Sequence, residues 1–231
     1  MYLHGGGDSR FSRHPDDSVA ASLGVRLLAV DRSGAGVRRR TLRAWAEEMV
    51  ALLDVERFAV VGWSAGGPHA LAVAAVAPER VTRAAIVGAM PMWDGVRVLP
   101  ADVRQAVRVA RFAPRYVARR LERWGRLPVP ATGAPETDEA YARGRVESFR
   151  EGGLWLAYEL AYLGRPWGFT PADVRAHVSL WWGEDDTVCP PSIAHDYARL
   201  LPNATLHVVA GTHQVLFPRW RDILADVARA V

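Results

Sequence analysis

The sequence contains no lysine, so all 29 of its basic residues are arginines. This bias is typical of a very GC-rich bacterial genome and reflects codon usage, not function. Against 25 acidic residues, the arginines leave a formal net charge of +4. A charge so small and so dispersed does not by itself indicate a nucleic-acid partner, and none is expected.

Cysteine is almost absent as well, since Cys189 is the only one. A single thiol excludes an internal disulfide and a cysteine-based zinc site. The sequence opens without the charged and apolar regions of a signal peptide, and no apolar run approaches the ~20 residues of a membrane span. We therefore expect a cytoplasmic protein without a membrane span, and we identify no motif for a cofactor or a metal.

Half of the 231 residues are hydrophobic and 23% are charged, which suits one α/β domain with a sizeable core. Short apolar runs, of the kind that form buried parallel strands, occupy residues 25–30, 58–62, 84–87, 178–182 and 205–209. Helical patterns occupy residues 41–53, 65–77 and 222–231, the first with Thr41 as a candidate N-cap. This alternation predicts an α/β fold with a mostly parallel sheet flanked by helices.

The alternation breaks down between residues 92 and 170. There we predict helix over residues 101–126 with an interruption at Pro114, a loop over 128–139 and helix again over 139–163. The predicted organisation is thus the N-terminal half of a core (1–91), a helical insertion (92–170) and the C-terminal half of the core (171–231). A helical insertion between two strands is a candidate lid over a site at the carboxyl ends of the strands.

The strongest chemical motif is Gly-Trp-Ser-Ala-Gly-Gly at residues 62–67, which follows one predicted strand and opens a helix. The pattern G-x-S-x-G in this context is typical of a sharp turn that exposes a serine nucleophile. Glycines relieve crowding where the chain reverses, and the helix N-terminus directs unpaired N–H groups toward the serine. We therefore expect Ser64 to be a nucleophile.

A serine hydroxyl needs a base, and the base needs an orienting acid. We favour His213 as the base because it lies in the loop after the last predicted strand. The loop after the preceding strand offers three carboxylates, and we favour Asp186 over Asp185 and Asp185 over Glu184. The chain order serine, acid, histidine supports this group together.

His4-Gly5-Gly6-Gly7 follows a short apolar start and matches the HGGG type of oxyanion motif. We expect the N–H groups of Gly6 and Ala65 to face the substrate oxygen. His4 is expected to anchor the loop by hydrogen bonding and not to take part in the chemistry.

Taken together, the sequence resembles the α/β-hydrolase superfamily, in its lidded branch of esterases, lactonases and aminopeptidase-like proteins. The motifs are HGGG at residues 4–7, DRSGAG at 31–36, GWSAGG at 62–67, GEDD-x-V at 183–188 and GTH at 211–213. The resemblance implies Ser64 as nucleophile, Asp186 as acid and His213 as base. It also places DRSGAG in a structural loop at the rim of the site. A serine nucleophile argues against dehalogenase and epoxide-hydrolase chemistry, for which the family uses an aspartate.

The sequence departs from the family at its start. Relatives place two strands before the HG motif, whereas only three residues precede His4 here. Either the start codon is wrongly assigned or the sheet lacks these strands. If the strands are missing, residues 25–30 should form an apolar edge strand, which we expect to be covered by homodimerisation or by another segment.

The predicted insertion is rich in arginine and in aromatic residues. Arginines at three- and four-residue spacing are Arg104, Arg108, Arg111, Arg115, Arg119 and Arg123. We interpret them as a solvated face, with docking of an acidic partner or surface as the alternative. Aromatic residues expected to line an apolar substrate pocket are Trp63, Trp93, Tyr116, Trp155 and Tyr158.

These features predict a cofactor-free serine hydrolase that cleaves an ester, lactone, thioester or amide of a hydrophobic small molecule. One alternative keeps the fold but changes the reaction to cyclisation, acyl transfer or C–C cleavage in secondary metabolism. The other is a ligand-binding relative without catalytic activity. The motifs alone do not identify the substrate.

Overall fold

A computed structural model describes residues 1–32 and 41–229. Its six-stranded sheet has the order β2-β1-β3-β4-β5-β6, and every neighbouring pair of strands is parallel. The strands are β1 (Tyr2–Leu3), β2 (Ala29–Val30), β3 (Phe58–Trp63), β4 (Val81–Val87), β5 (His177–Gly183) and β6 (Ala204–Val209). The predicted α/β fold with a mostly parallel sheet is confirmed.

Helices lie between and beside these strands. They are α1 (Asp17–Ser22), α2 (Leu42–Ala51), α3 (Gly66–Val76), α4 (Ala101–Ala110), α5 (Pro114–Gly125), α6 (Pro135–Ser148), α7 (Leu154–Leu163), α8 (Ser192–Leu200) and α9 (Trp220–Ala228). Thr41 caps α2 as predicted, because its hydroxyl accepts the N–H of Ala44 at 3.1 Å. None of the described helices is long and apolar enough to cross a membrane.

The central strands of the sheet are buried on both faces, and alternate residues of a strand point to opposite sides. In β4, Ala84 and Ile86 join the larger apolar cluster, whereas Ala85 and Val87 join the smaller one. Residues of α2, α3 and α8 belong to the larger cluster, and residues of α1 and α9 belong to the smaller cluster. The fold thus has three layers, a sheet between two layers of helices, and the candidate site residues lie in the loops at the strand ends.

Several predicted boundaries are wrong, and the helix expected over 139–163 is divided into α6 and α7. The expected strand over residues 25–30 is confined to Ala29–Val30, which lies at an edge of the described sheet. The expected loop over 128–139 ends early because α6 begins at Pro135, where a proline fits the first helical position. Of the DRSGAG motif, only Asp31 and Arg32 lie within the described residues.

The helical insertion contains α4 to α7, with a break between Ala110 and Pro114. The arginines of the predicted face are therefore divided between two helices, α4 and α5, and the turn between them. Helix α7 packs against both α4 and α5. Its buried side chain Leu156 lies beside the N-terminal glycine loop.

Candidate active site

Ser64 occupies the sharp turn between β3 and α3. Its φ of +54° is the only positive value among the described non-glycine residues. A left-handed backbone at a serine is strained and persists where the surrounding structure enforces it. Ser64 is partly exposed, whereas its neighbours Trp63 and Ala65 are buried. The turn thus presents one hydroxyl above a closed core.

The glycines of the motif allow this turn. A Cβ on Gly62 would overlap the carbonyl oxygen of Gly66 and lie 2.7 Å from the Ala70 side chain. A Cβ on Gly66 would overlap the carbonyl oxygen of Leu3. Both positions therefore need glycine for close packing.

His213 lies between the other two predicted residues. Its Nε2 is 3.0 Å from Ser64 Oγ, and its Nδ1 is 2.8 Å from Asp186 Oδ2. Asp186 comes from the loop after β5 and His213 from the loop after β6, so both reach the same edge of the sheet. The Trp63 indole N–H donates to the carbonyl oxygen of His213 at 3.0 Å. This bond fixes the histidine loop over β3.

Asp186 is held in place by its own backbone surroundings. Its Oδ1 accepts the N–H groups of Val188 at 2.9 Å and Cys189 at 2.8 Å, which leaves Oδ2 directed at the histidine. Glu184 and Asp185 are exposed in the same loop. Of the three candidate carboxylates, Asp186 is the one hydrogen-bonded to His213.

The glycine loop lies beside Ser64. A Cβ on Gly6 would stand 3.3 Å from the Cβ of Ala65 and 3.6 Å from Leu156 Cδ1 of α7. Gly6 and Ala65 are thus neighbours across the start of α3, as the predicted pair of N–H donors requires. His4 is buried, and its Nδ1 lies 2.8 Å from the carbonyl oxygen of Gly5. Burial lowers the pKa of His4 well below its usual value, so the ring is neutral.

A buried ion pair between Arg32 and Glu159 also anchors the glycine loop. Arg32 donates to the carbonyl oxygens of His4 and of Gly5, the latter at 3.1 Å. Its Nε and Nη2 also donate to the Glu159 carboxylate of α7 at 2.8 and 3.2 Å. Sequence reasoning placed Arg32 at the rim of the site and missed Glu159, because nothing in the sequence shows which insertion residue reaches it.

His69 connects this pair to the serine turn. Its Nδ1 donates to the Ala65 carbonyl oxygen at 2.7 Å, and its Nε2 lies 2.7 Å from the Tyr162 hydroxyl. Glu159 lies 3.5 Å from the same Nε2. Burial lowers the pKa of His69 well below its usual value. The neutral ring therefore fixes the start of α3 to the insertion.

The five predicted pocket residues are distributed unevenly. Trp63 is buried below the histidine, with its ring centroid 5.7 Å from that of His213. Trp155 and Tyr158 are half-buried, and the Trp155 ring meets the His4 ring edge-on at 6.4 Å. Trp93 and Tyr116 lie at the surface with 37% and 56% of their area exposed. The insertion residue beside Gly6 is Leu156, which sequence reasoning did not select.

A second buried pair, also missed, lies at the end of the glycine loop. Asp8 is buried, and its Oδ1 is 3.5 Å from Arg145 Nε of α6. Burial raises the pKa of Asp8 to about 6, and the charge and hydrogen bond of Arg145, together with the charge of Arg32, oppose that rise. The position of Asp8 directly after the HGGG motif was the sequence signal that could have marked it as a candidate site residue. Within residues 1–32 and 41–229, no three His, Cys, Asp or Glu side chains are grouped to hold a metal ion.

This chain belongs to the α/β-hydrolase fold family, whose model matches residues 1–218. Among solved structures, it is similar to an α/β-hydrolase fold protein from Nakamurella multipartita, with a TM-score of 0.69 and 20% identity over 99% of this chain and 91% of the other. It is also similar to a thermophilic esterase from Thermogutta terrifontis, with a TM-score of 0.67 and 18% identity over 99% and 87% of the two chains.

A third similar structure is the 2-hydroxy-6-oxo-6-phenylhexa-2,4-dienoate hydrolase from Rhodococcus sp. strain RHA1. The TM-score is 0.67, with 21% identity over 100% of this chain and 89% of the other. No curated protein sequence matches this chain. The structural likenesses establish the fold, and the family match establishes the superfamily predicted from the motifs.

Proposed function

We propose that the protein is a serine hydrolase that cleaves an ester, lactone, thioester or amide of a hydrophobic small molecule. The observation that carries this proposal is the continuous hydrogen-bonded series from Ser64 Oγ through His213 to Asp186 Oδ2. A serine, a histidine and a buried carboxylate in this order form the arrangement that acyl transfer uses. The esterase and hydrolase neighbours agree with the proposal.

In the proposed reaction, Ser64 Oγ attacks the carbonyl carbon while His213 Nε2 takes the hydroxyl proton. Asp186 accepts the Nδ1–H of His213 and stabilises the imidazolium that forms. His213 then gives the proton to the leaving group, and an acyl-serine remains. Water attacks this acyl group with His213 again as base, and the acid product leaves as Ser64 regains its proton.

The negative oxygen of the tetrahedral intermediate needs donors on one side of the carbonyl. We assign this role to the N–H groups of Gly6 and Ala65, supported by the close approach of these two residues. Loss of one such donor costs roughly 10²–10³ in kcat in hydrolases. We also propose that the insertion acts as a lid and that Trp155, Tyr158 and Leu156 contribute apolar surface to the acyl pocket. Trp93 and Tyr116, which are exposed, would contribute only if the insertion closes.

The first test is labelling of the purified protein with a fluorophosphonate probe, which needs an activated serine but no known substrate. We expect labelling of the wild type and none of Ser64→Ala or His213→Ala. Circular dichroism of all three proteins controls for folding. A folded wild type that stays unlabelled contradicts the proposal and favours the non-hydrolytic or ligand-binding alternatives.

A further inference from the structure

A cleft of about 660 Å³ lies within the helical insertion and is separate from the serine site. It is lined by Glu122, Gly125, Arg126, Leu127, Pro128, Val129, Ala142, Arg145, Val146, Phe149 and Gly152. The volume falls within the roughly 300–1,000 Å³ of small-molecule sites. Neither Ser64 nor His213 lines this cleft, so an occupant would not need to touch the proposed reaction centre.

Arg145 is the buried charge in this cleft, with 4% of its area exposed. A guanidinium group has five N–H donors. Among the described residues, two contacts use them, to Asp8 Oδ1 at 3.5 Å and to the Tyr141 hydroxyl at 3.2 Å. The Trp124 ring stacks 3.8 Å from the guanidinium carbon and offers no acceptor. Arg145 therefore retains donors for an oxygen-bearing ligand.

The lining of the cleft carries two guanidinium groups, Arg145 and Arg126, and one carboxylate, Glu122. Asp8 contacts Arg145 from the side of the glycine loop and balances part of its charge. One oxygen of Glu122 accepts the N–H of Gly153 at 3.0 Å, which disperses part of its charge. A planar guanidinium group matches the two oxygens of a carboxylate.

The rest of the lining is apolar and open to solvent. Leu127 and Val146 are 58% and 74% exposed, and the Phe149 ring packs against Gly125. Exposed apolar side chains around a concave surface are typical of a binding site. A buried cation beside apolar walls is complementary to a molecule with an apolar body and one acidic group.

We propose that this cleft binds an apolar carboxylate, with Arg145 paired to the acid group and Leu127, Val146 and Phe149 around the apolar body. The site is in direct contact with the glycine loop. Arg145 contacts Asp8, and a Cβ on Gly7 would lie 2.6 Å from the Trp124 ring.

The experiment is isothermal titration calorimetry of Ser64→Ala protein with phenylbutyrate and with phenylbutyramide, its neutral amide. The Ser64→Ala background removes turnover, so the result does not depend on the proposed hydrolysis. We expect the acid to bind at least about tenfold more tightly than the amide, because the charged hydrogen bonds to Arg145 are lost with the amide. Arg145→Gln should lower the affinity for the acid by a similar factor.

Two further variants locate the site. Val146→Asp changes an exposed residue, should leave folding intact and should weaken acid binding by placing a like charge at the mouth. Arg150→Gln removes an exposed arginine that does not line the cleft, and it should leave the affinity unchanged. Equal affinity for acid and amide, no acid binding at millimolar concentration, or acid binding that Val146→Asp does not weaken would overturn the proposal.

Discussion

Arg32 and Glu159 are joined by two buried hydrogen bonds, 2.8 Å from Nε to Oε1 and 3.2 Å from Nη2 to Oε2. The pair connects the chain after β2 to α7 of the insertion. The same guanidinium group donates to the carbonyl oxygens of His4 and Gly5. The position of the glycine loop, and hence of the Gly6 N–H, thus depends on a residue of the insertion. We regard Arg32 and Glu159 as positioning residues.

Glu159→Gln is expected to lower the free energy of unfolding by about 3 kcal/mol or more, because it leaves the Arg32 charge buried without its partner. It should also lower kcat more than it raises KM, since the glycine loop loses its anchor. Urea unfolding and ester kinetics measure the two effects.

The matched control is Glu47→Gln. Glu47 accepts a hydrogen bond from Arg43 at the same distance of 2.8 Å, but both side chains are about half exposed. Exposed pairs contribute roughly 0–1 kcal/mol. A loss of stability as small in Glu159→Gln as in Glu47→Gln would show that the buried pair does not hold the insertion to the loop.

Asp186 and Asp185 provide a second comparison within one loop. Asp186→Asn should lower kcat by about 10⁴-fold, because the amide no longer holds His213 in the tautomer whose Nε2 accepts the Ser64 proton. Asp185→Asn changes an exposed side chain without a contact to His213 and should retain activity within about twofold. Comparable losses in the two variants would contradict the assignment of Asp186 as the acid.

The sequence was sufficient for the parts of the site that rest on local backbone requirements. The serine turn could be located because Gly62 and Gly66 are the residues that a sharp strand-to-helix turn requires. The order of strands also located the loops that carry Asp186 and His213. In these cases a short motif determines the local structure, and the parallel sheet brings the motifs to one edge.

The insertion could not be predicted in the same way. Trp93, Tyr116 and Leu156 all belong to the insertion between β4 and β5, and only packing decides which of them approaches Gly6. The contacts of Glu159 with Arg32 and of Asp8 with Arg145 span more than a hundred residues. Neither contact has a local pattern, so both became visible only with the structure.

Gly66 offers a test of how closely the serine turn packs on the glycine loop. A Cβ there would overlap the backbone oxygen of Leu3 and lie 2.5 Å from that of His4. Gly66→Ala should therefore destabilise the protein by about 1–3 kcal/mol or more and reduce activity. Gly95→Ala, where the nearest side-chain atom is 3.2 Å away, is the control. Retention of full activity in Gly66→Ala would mean that the serine turn and the glycine loop can move apart without a loss of activity.

The edge of the sheet leads to a prediction on self-association. Strand β2 pairs with β1 in the described sheet over only two residues, and Val25, Leu27 and Leu28 nearby are partly exposed. We expect light scattering to detect a dimer whose fraction rises with protein concentration. A monomer at every accessible concentration would contradict the sequence-based expectation of a dimer.

Asp8 makes the stability of the protein depend on pH in an unusual direction. Its pKa rises from 3.8 to about 6 on burial, so the folded state holds the proton more tightly than the unfolded chain. The tighter proton binding stabilises the folded state fully below pH 3.8, and this stabilisation is lost as the pH rises through about 6. The loss in the free energy of unfolding is roughly 3 kcal/mol, at ~1.4 kcal/mol per pKa unit.

Asp8→Asn removes this titration. Urea unfolding between about pH 4 and pH 7 should therefore show that the free energy of unfolding of Asp8→Asn, relative to that of the wild type, increases as the pH rises. Asp185→Asn, in an exposed position, should keep the wild-type pH profile. A constant difference between Asp8→Asn and the wild type across this range would contradict the raised pKa of Asp8.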